Sequence, residues 1–150
     1  MAFAAEDHER VRLLSAQLRA FRESKEFALE DEQMGLALAR LLELDLKHLA
    51  IVPSYTGMFA AAAVRWGIAL PESLLGFFFA ICESQVSVAL RLLPLGQTAG
   101  QRILAAALPA IERAAERALA IDDDDIGNFT PGLALLSARH ELQYSRLFRS

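Results

Sequence analysis

His140 and Glu141 stand side by side near the carboxyl end of this chain, with Tyr144 one helical turn beyond the histidine. A His-Glu pair on a helix opens the zinc-protease motif, which needs a second histidine at the position that Tyr144 occupies, so the motif holds no metal here. As acid-base groups, His140, Glu141 and Tyr144 would instead make a small helical enzyme, but no substrate follows from them. His8, His48 and Cys82 lie far apart with no ligand spacing. Asp122 to Asp125 lack the alternating oxygen ligands and terminal glutamate of a calcium loop, and such a run is usually a solvated turn. "GQTAGQ", residues 96 to 101, has no Lys-Ser/Thr after its second glycine and no strand before its first, which excludes a phosphate loop. Ser84, Ser137 and Ser145 have no nucleophile elbow around them. No catalytic residue, no metal ligand and no tightly bound cofactor is therefore expected.

Two features remain, and both suit contact with another protein. The first is the patch in "RLLPLGQTAGQR", where Gly96 and Gly100 allow close backbone approach while Gln97, Thr98 and Gln101 supply donors and acceptors. Its plainer reading is an interhelical turn. The second is "HELQYSRLFRS", in which Arg139, Arg146 and Arg149 outweigh Glu141 and Tyr144, Leu147 and Phe148 are anchors of the kinds that dominate interfaces. The alternative is that these anchors pack on the chain's own bundle.

The elements that must position these residues are helical. Over 150 residues, 54% apolar content suffices for one buried core, which makes a single domain the economical expectation. One cysteine gives no disulfide, and the cytoplasm is the default compartment. A net charge of −4 with no basic stripe argues against a nucleic-acid partner. Glu6, Asp7 and Glu9 argue against a signal peptide. Glu72, Glu83, Gln85 and Arg91 punctuate the one stretch that imitates a membrane span, residues 70 to 95, so it reads as a core helix and no membrane is expected.

Val11, Leu14, Leu18 and Phe21 recur at helical spacing and predict an amphipathic helix over 3 to 22 with no capping residue before it. Phe27, Met34, Leu38 and Leu41 predict a second, with acidic residues in its early turns. Ser54 suits an N-cap for an apolar central helix over 55 to 66 that stops at Gly67. Pro71 opens the next helix, which stops at Pro94. Ile103, Leu104, Leu108, Ile111, Ala115 and Leu119 give the following helix one apolar face, and Pro109 should kink or split it. Thr130 and Pro131 read as N-cap and first residue of the last helix. No period-two alternation is sustained, so the expected fold is an all-α, single-domain bundle of about six helices.

Taken together, "EDEQMG" at 30 to 35, "RWGIAL" at 65 to 70, "PLGQTAGQR" at 94 to 102, "DDDDIG" at 122 to 127 and "RHELQYSRLFRS" at 139 to 150 resemble the urease accessory protein UreF family in order and spacing. The resemblance covers about Phe21 to Ser150. It implies an all-helical, non-catalytic cytoplasmic scaffold that bridges the accessory protein UreD, also called UreH, and the GTPase UreG, self-associates as a dimer, and helps the complex present nickel to apo-urease. It places the family's partner-binding signatures on Gly96, Gln97, Thr98, Gly100 and Gln101, and on His140, Tyr144, Arg146, Leu147, Phe148 and Arg149. Members of the family carry a segment before the helix at which this sequence starts, so a shortened amino terminus is expected. Outside this family, the same composition would suit a generic helical interaction domain.

Overall fold

A computed structural model describes residues 7–44, 52–127 and 130–143. Among the described residues there are six α-helices and no strand: α1 (His8–Ala20), α2 (Lys25–Leu41), α3 (Tyr55–Arg65), α4 (Leu70–Leu92), α5 (Gln97–Ala120) and α6 (Pro131–Glu141), with a short 3-10 turn at Asp123–Asp125. The all-α expectation is borne out. The chain divides into two compact units, Met1–Ala62 with Gly127–Ser150, and Ala63–Ile126.

In the first unit, the start of α1 corrects the sequence reading. Asp7 is an N-cap, its carboxylate accepting the Arg10 amide hydrogen at 3.0 Å. The apolar pattern concealed it because an acidic residue among other acids reads as a solvated run. Ser24 caps α2, its hydroxyl accepting from the Phe27 amide at 3.2 Å. The inner face of α2 is set by small residues: Gly35 and Ala39 are buried, whereas Leu41 is 75% exposed. A Cβ on Gly35 would lie 2.6 Å from the Pro53 carbonyl oxygen and 2.7 Å from the Ser54 carbonyl carbon, so the backbone at 53 and 54 lies directly against α2. Ser54 then caps α3 as expected, its hydroxyl accepting from the Gly57 amide at 3.0 Å.

Charge joins these helices as well. Arg19 pairs with Glu32 at 3.1 Å, linking α1 to α2 on an exposed face. Arg22 Nη2 meets Asp31 Oδ1 at 3.1 Å, and the same carboxylate oxygen accepts from the Tyr55 amide at 3.1 Å. Asp31 thus satisfies one of the free N–H groups that every helix start leaves, here on α3. Within α3, Met58 is fully buried, and Ala61, Ala62 and Ala63 are buried beside it, as a helix contacted on several sides requires.

Gly67 ends α3 with φ +65, the left-handed stop its position suggested, and the second unit follows as a hairpin of α4 and α5. Leu74, Phe78, Cys82, Val86 and Leu90 recur every four residues along α4 and are half-buried. No residue of α4 is buried, however, and Phe79, Ile81, Val88 and Leu92 are exposed. The expectation of a core helix is thereby corrected. Within this unit α4 has α5 as its neighbour, and one neighbouring helix covers one stripe of a cylinder. By length and composition α4 could cross a membrane. Glu83 sits near its middle, where a charged residue in hydrocarbon costs about 3 kcal/mol, and accepts from the Ser87 hydroxyl at 3.1 Å.

Along α5, Gly100, Leu104, Ile111 and Ala115 are buried, while Ile103, Leu108 and Leu119 are exposed, so the apolar face is narrower than the sequence suggests. Pro109 does not split α5, which runs unbroken from Gln97 to Ala120. Pro109 and Ala105 are both exposed. The carbonyl that a proline leaves without its intrahelical partner can therefore be hydrated at no burial cost. Replacing Pro109 by alanine restores that hydrogen bond, and should stabilise the chain by about 2 kcal/mol once the unfolded chain's added freedom is deducted. A urea titration followed by circular dichroism would read this as a higher midpoint at unchanged slope.

Candidate partner-binding surfaces

The first candidate surface is the elbow between α4 and α5. Leu93 leaves α4 in an extended conformation, the Leu95 amide donates to the Leu93 carbonyl at 2.7 Å, and Gly96 is the N-cap of α5 with no side-chain cap. Pro94 cannot continue α4, so the chain turns within a few residues and starts the next helix. The two glycines differ in role. Gly96 has φ −78, which any residue adopts, and a Cβ there would meet nothing. Gly100 is buried, and a Cβ on it would lie 2.8 Å from a Leu90 methyl and 3.3 Å from Val86. Gly100 is thus the point of close approach between the two helices. Gln97, Thr98 and Gln101 project from the first turns of α5 and are exposed. The interhelical turn that the sequence offered as the plainer reading is present at Leu93 to Gly96, and Gln97, Thr98 and Gln101 stand exposed just beyond it.

The second surface lies in the other unit, on α6. Pro131 begins α6 as expected, but Thr130 makes no side-chain cap; its amide donates instead to the Glu23 carboxylate at 3.0 Å. At the far end, His140 Nδ1 lies 2.6 Å from Glu26 Oε2. Glu141 Oε1 accepts from the Lys25 amide at 2.9 Å and from the Glu26 amide at 3.4 Å, so a carboxylate from the end of the described chain caps α2. The Ser137 and Ser24 hydroxyls are 2.7 Å apart. His140 and Glu141 are therefore engaged in holding two helices together. Tyr144, Arg146, Leu147, Phe148 and Arg149 lie outside the described residues.

Glu23, Ser24, Glu26 and Ser137 complete this arrangement, and sequence reasoning missed their connection to His140. The start of α2 at Ser24 was legible as a capping position. Its second cap, from Glu141, was not, because no local spacing links residues more than a hundred positions apart. Among the described residues no three His, Cys, Asp or Glu side chains gather where a metal ion could sit.

The described residues make an all-helical protein. A family model described as UreF matches residues 1–108. A "Urease accessory protein UreF" from Alkalilimnicola ehrlichii is 44% identical over 155 residues, covering 99% of this chain and 68% of that protein. A "Urease accessory protein UreF 2" from Brucella anthropi is 49% identical over 139 residues, covering 89% of this chain and 61% of the relative. A UreF from Chromohalobacter salexigens is 45% identical over 139 residues, covering 89% and 60%. The chain belongs to the UreF family of urease accessory proteins, and is an accessory protein rather than an enzyme. It spans 60 to 68% of the length of these relatives. The resemblance read from the five short motifs is borne out, and the reading of His140, Glu141 and Tyr144 as an enzyme's acid-base set is set aside.

Proposed function

We propose that this chain is a cytoplasmic scaffold in urease metallocentre assembly, bridging UreD/UreH and the GTPase UreG and self-associating as a homodimer. Nickel passes through the complex to apo-urease as cargo, with GTP hydrolysis belonging to UreG. The observation that supports this most directly is the similarity to UreF of A. ehrlichii along 99% of the chain. Neither a nucleic acid nor a membrane enters this reading. The exposed Gln97, Thr98 and Gln101 suit one contact. The carboxyl-terminal segment, with Tyr144, Arg146, Leu147, Phe148 and Arg149, suits the contact with UreD/UreH. The apolar exterior of the α4–α5 hairpin also favours association, since exposed apolar patches beyond a few hundred Å² mark interaction sites.

The test is to mix the purified chain with its cognate UreD/UreH protein and weigh the eluting species by size-exclusion chromatography with light scattering. A joint complex is the expected result. Reversing the charge of Arg146 and Arg149 together should weaken it at least tenfold while leaving helicity unchanged, because truncated or reversed hot-spot arginines commonly cost 2 kcal/mol or more, a range taken as about 2. An unaltered affinity in that variant would remove the carboxyl-terminal segment from the interface.

A further inference from the structure

The attachment of α6 inverts the usual order of helix packing. Its one buried residue is a serine, Ser137, at 7% exposure, whereas Leu133, Leu135 and Leu136 are 51, 64 and 64% exposed and Leu142, just beyond it, is 87% exposed. Most helices in proteins are held by an apolar face laid on the core. Among the described residues, α6 is fastened by a polar seam along the start of α2: the Ser24–Ser137 hydroxyl contact, the His140–Glu26 pair, and the Glu141 carboxylate on the Lys25 and Glu26 amides. Glu23 fastens the entry to the helix through the Thr130 amide.

We propose that α6 is a polar clasp, which opens as a unit from the start of α2 while the rest of the chain stays folded. The physical reason is that hydrogen bonds exchanged for water lose little net free energy, whereas unpacking an apolar face exposes it irreparably to solvent. Here Leu133, Leu135 and Leu136 are already more than half exposed before the opening, so they oppose it little. Glu141 is the decisive group, since it alone bonds two amides of α2 among the contacts described.

Amide hydrogen exchange on the full chain without partner, read by mass spectrometry, tests the clasp by itself. Glu141→Ala should speed exchange of the amides in 131–143 about tenfold, the loss of hydrogen bonds to one charged group, while amides in 97–120 keep their rates. Leu136→Ala should leave 131–143 within about twofold, because that side chain packs on little. Unchanged exchange in Glu141→Ala, an acceleration in Leu136→Ala as large as that expected for Glu141→Ala, or a rise of all amides together would each overturn the clasp. Since no partner is present, failure of the clasp and failure of the UreD/UreH complex are read separately.

Discussion

Replacing Gly35 by alanine should destabilise the chain by about 3 kcal/mol, the upper part of the range for forcing an extra methyl into a packed site. The added Cβ meets backbone, at 2.6 Å from the Pro53 carbonyl oxygen and 2.7 and 2.8 Å from the Ser54 and Pro53 carbonyl carbons. A flexible side chain could swing aside, but these atoms move only if the segment leading into α3 moves with them. That segment also carries the Ser54 cap and the Tyr55 amide bound to Asp31, so relief of the clash breaks both. A thermal melt followed by circular dichroism should show the midpoint fall by roughly 10 °C. Gly132→Ala is the control of opposite sign. A Cβ there meets nothing, and alanine inside a helix should add about 0.5–1 kcal/mol. Equal effects at the two glycines would show that Gly35 is not a contact position.

Asp31→Ala is the second large effect, again about 3 kcal/mol. Asp31 has only 11% of its side chain exposed and neutralises Arg22, itself 34% exposed, while its Oδ1 accepts the Tyr55 amide. Removing it leaves a partly buried guanidinium without that carboxylate, the situation in which breaking a pair costs far more than never having built it. Arg22 Nε is already buried with no hydrogen-bond partner, so the guanidinium has little reserve of other contacts. A double-mutant cycle in urea isolates the pair. Arg22→Ala should cost less on the Asp31→Ala background than in the wild-type chain, with a coupling of about 1–2 kcal/mol. Strict additivity would show that the two side chains do not act together.

Both effects fall inside "EDEQMG", which entered only as a mark of resemblance. In the structure, Asp31 and Gly35 of that motif contact residues 53 to 55, so its acid and its glycine are matched to a close backbone approach. Nothing in the spacing of 30 to 35 announces that approach, because its other half comes from a different part of the chain. The glycine patch at 96 to 101 resolves in a similar way. Gly100 is required where α4 and α5 touch, Gly96 is not required by its backbone, and Gln97 and Gln101 are exposed.

By itself the sequence determined the helices. Periodicity, Ser54 as a cap, Gly67 as a stop and Pro94 as a break act over one or two turns, and each lies where that local logic puts it. The family motifs were legible for the same reason, as short runs of residue types in order. Tertiary structure alone decided which apolar residues are covered and which distant charges meet. An apolar run such as "LLGFFFAI" fits a fully covered helix and a partly exposed one equally well, and no residue of α4 is buried. Burial depends on how many neighbours a helix has, and contacts such as that of His140 with Glu26 depend on where two ends of the chain are brought, neither of which is a property of any local stretch.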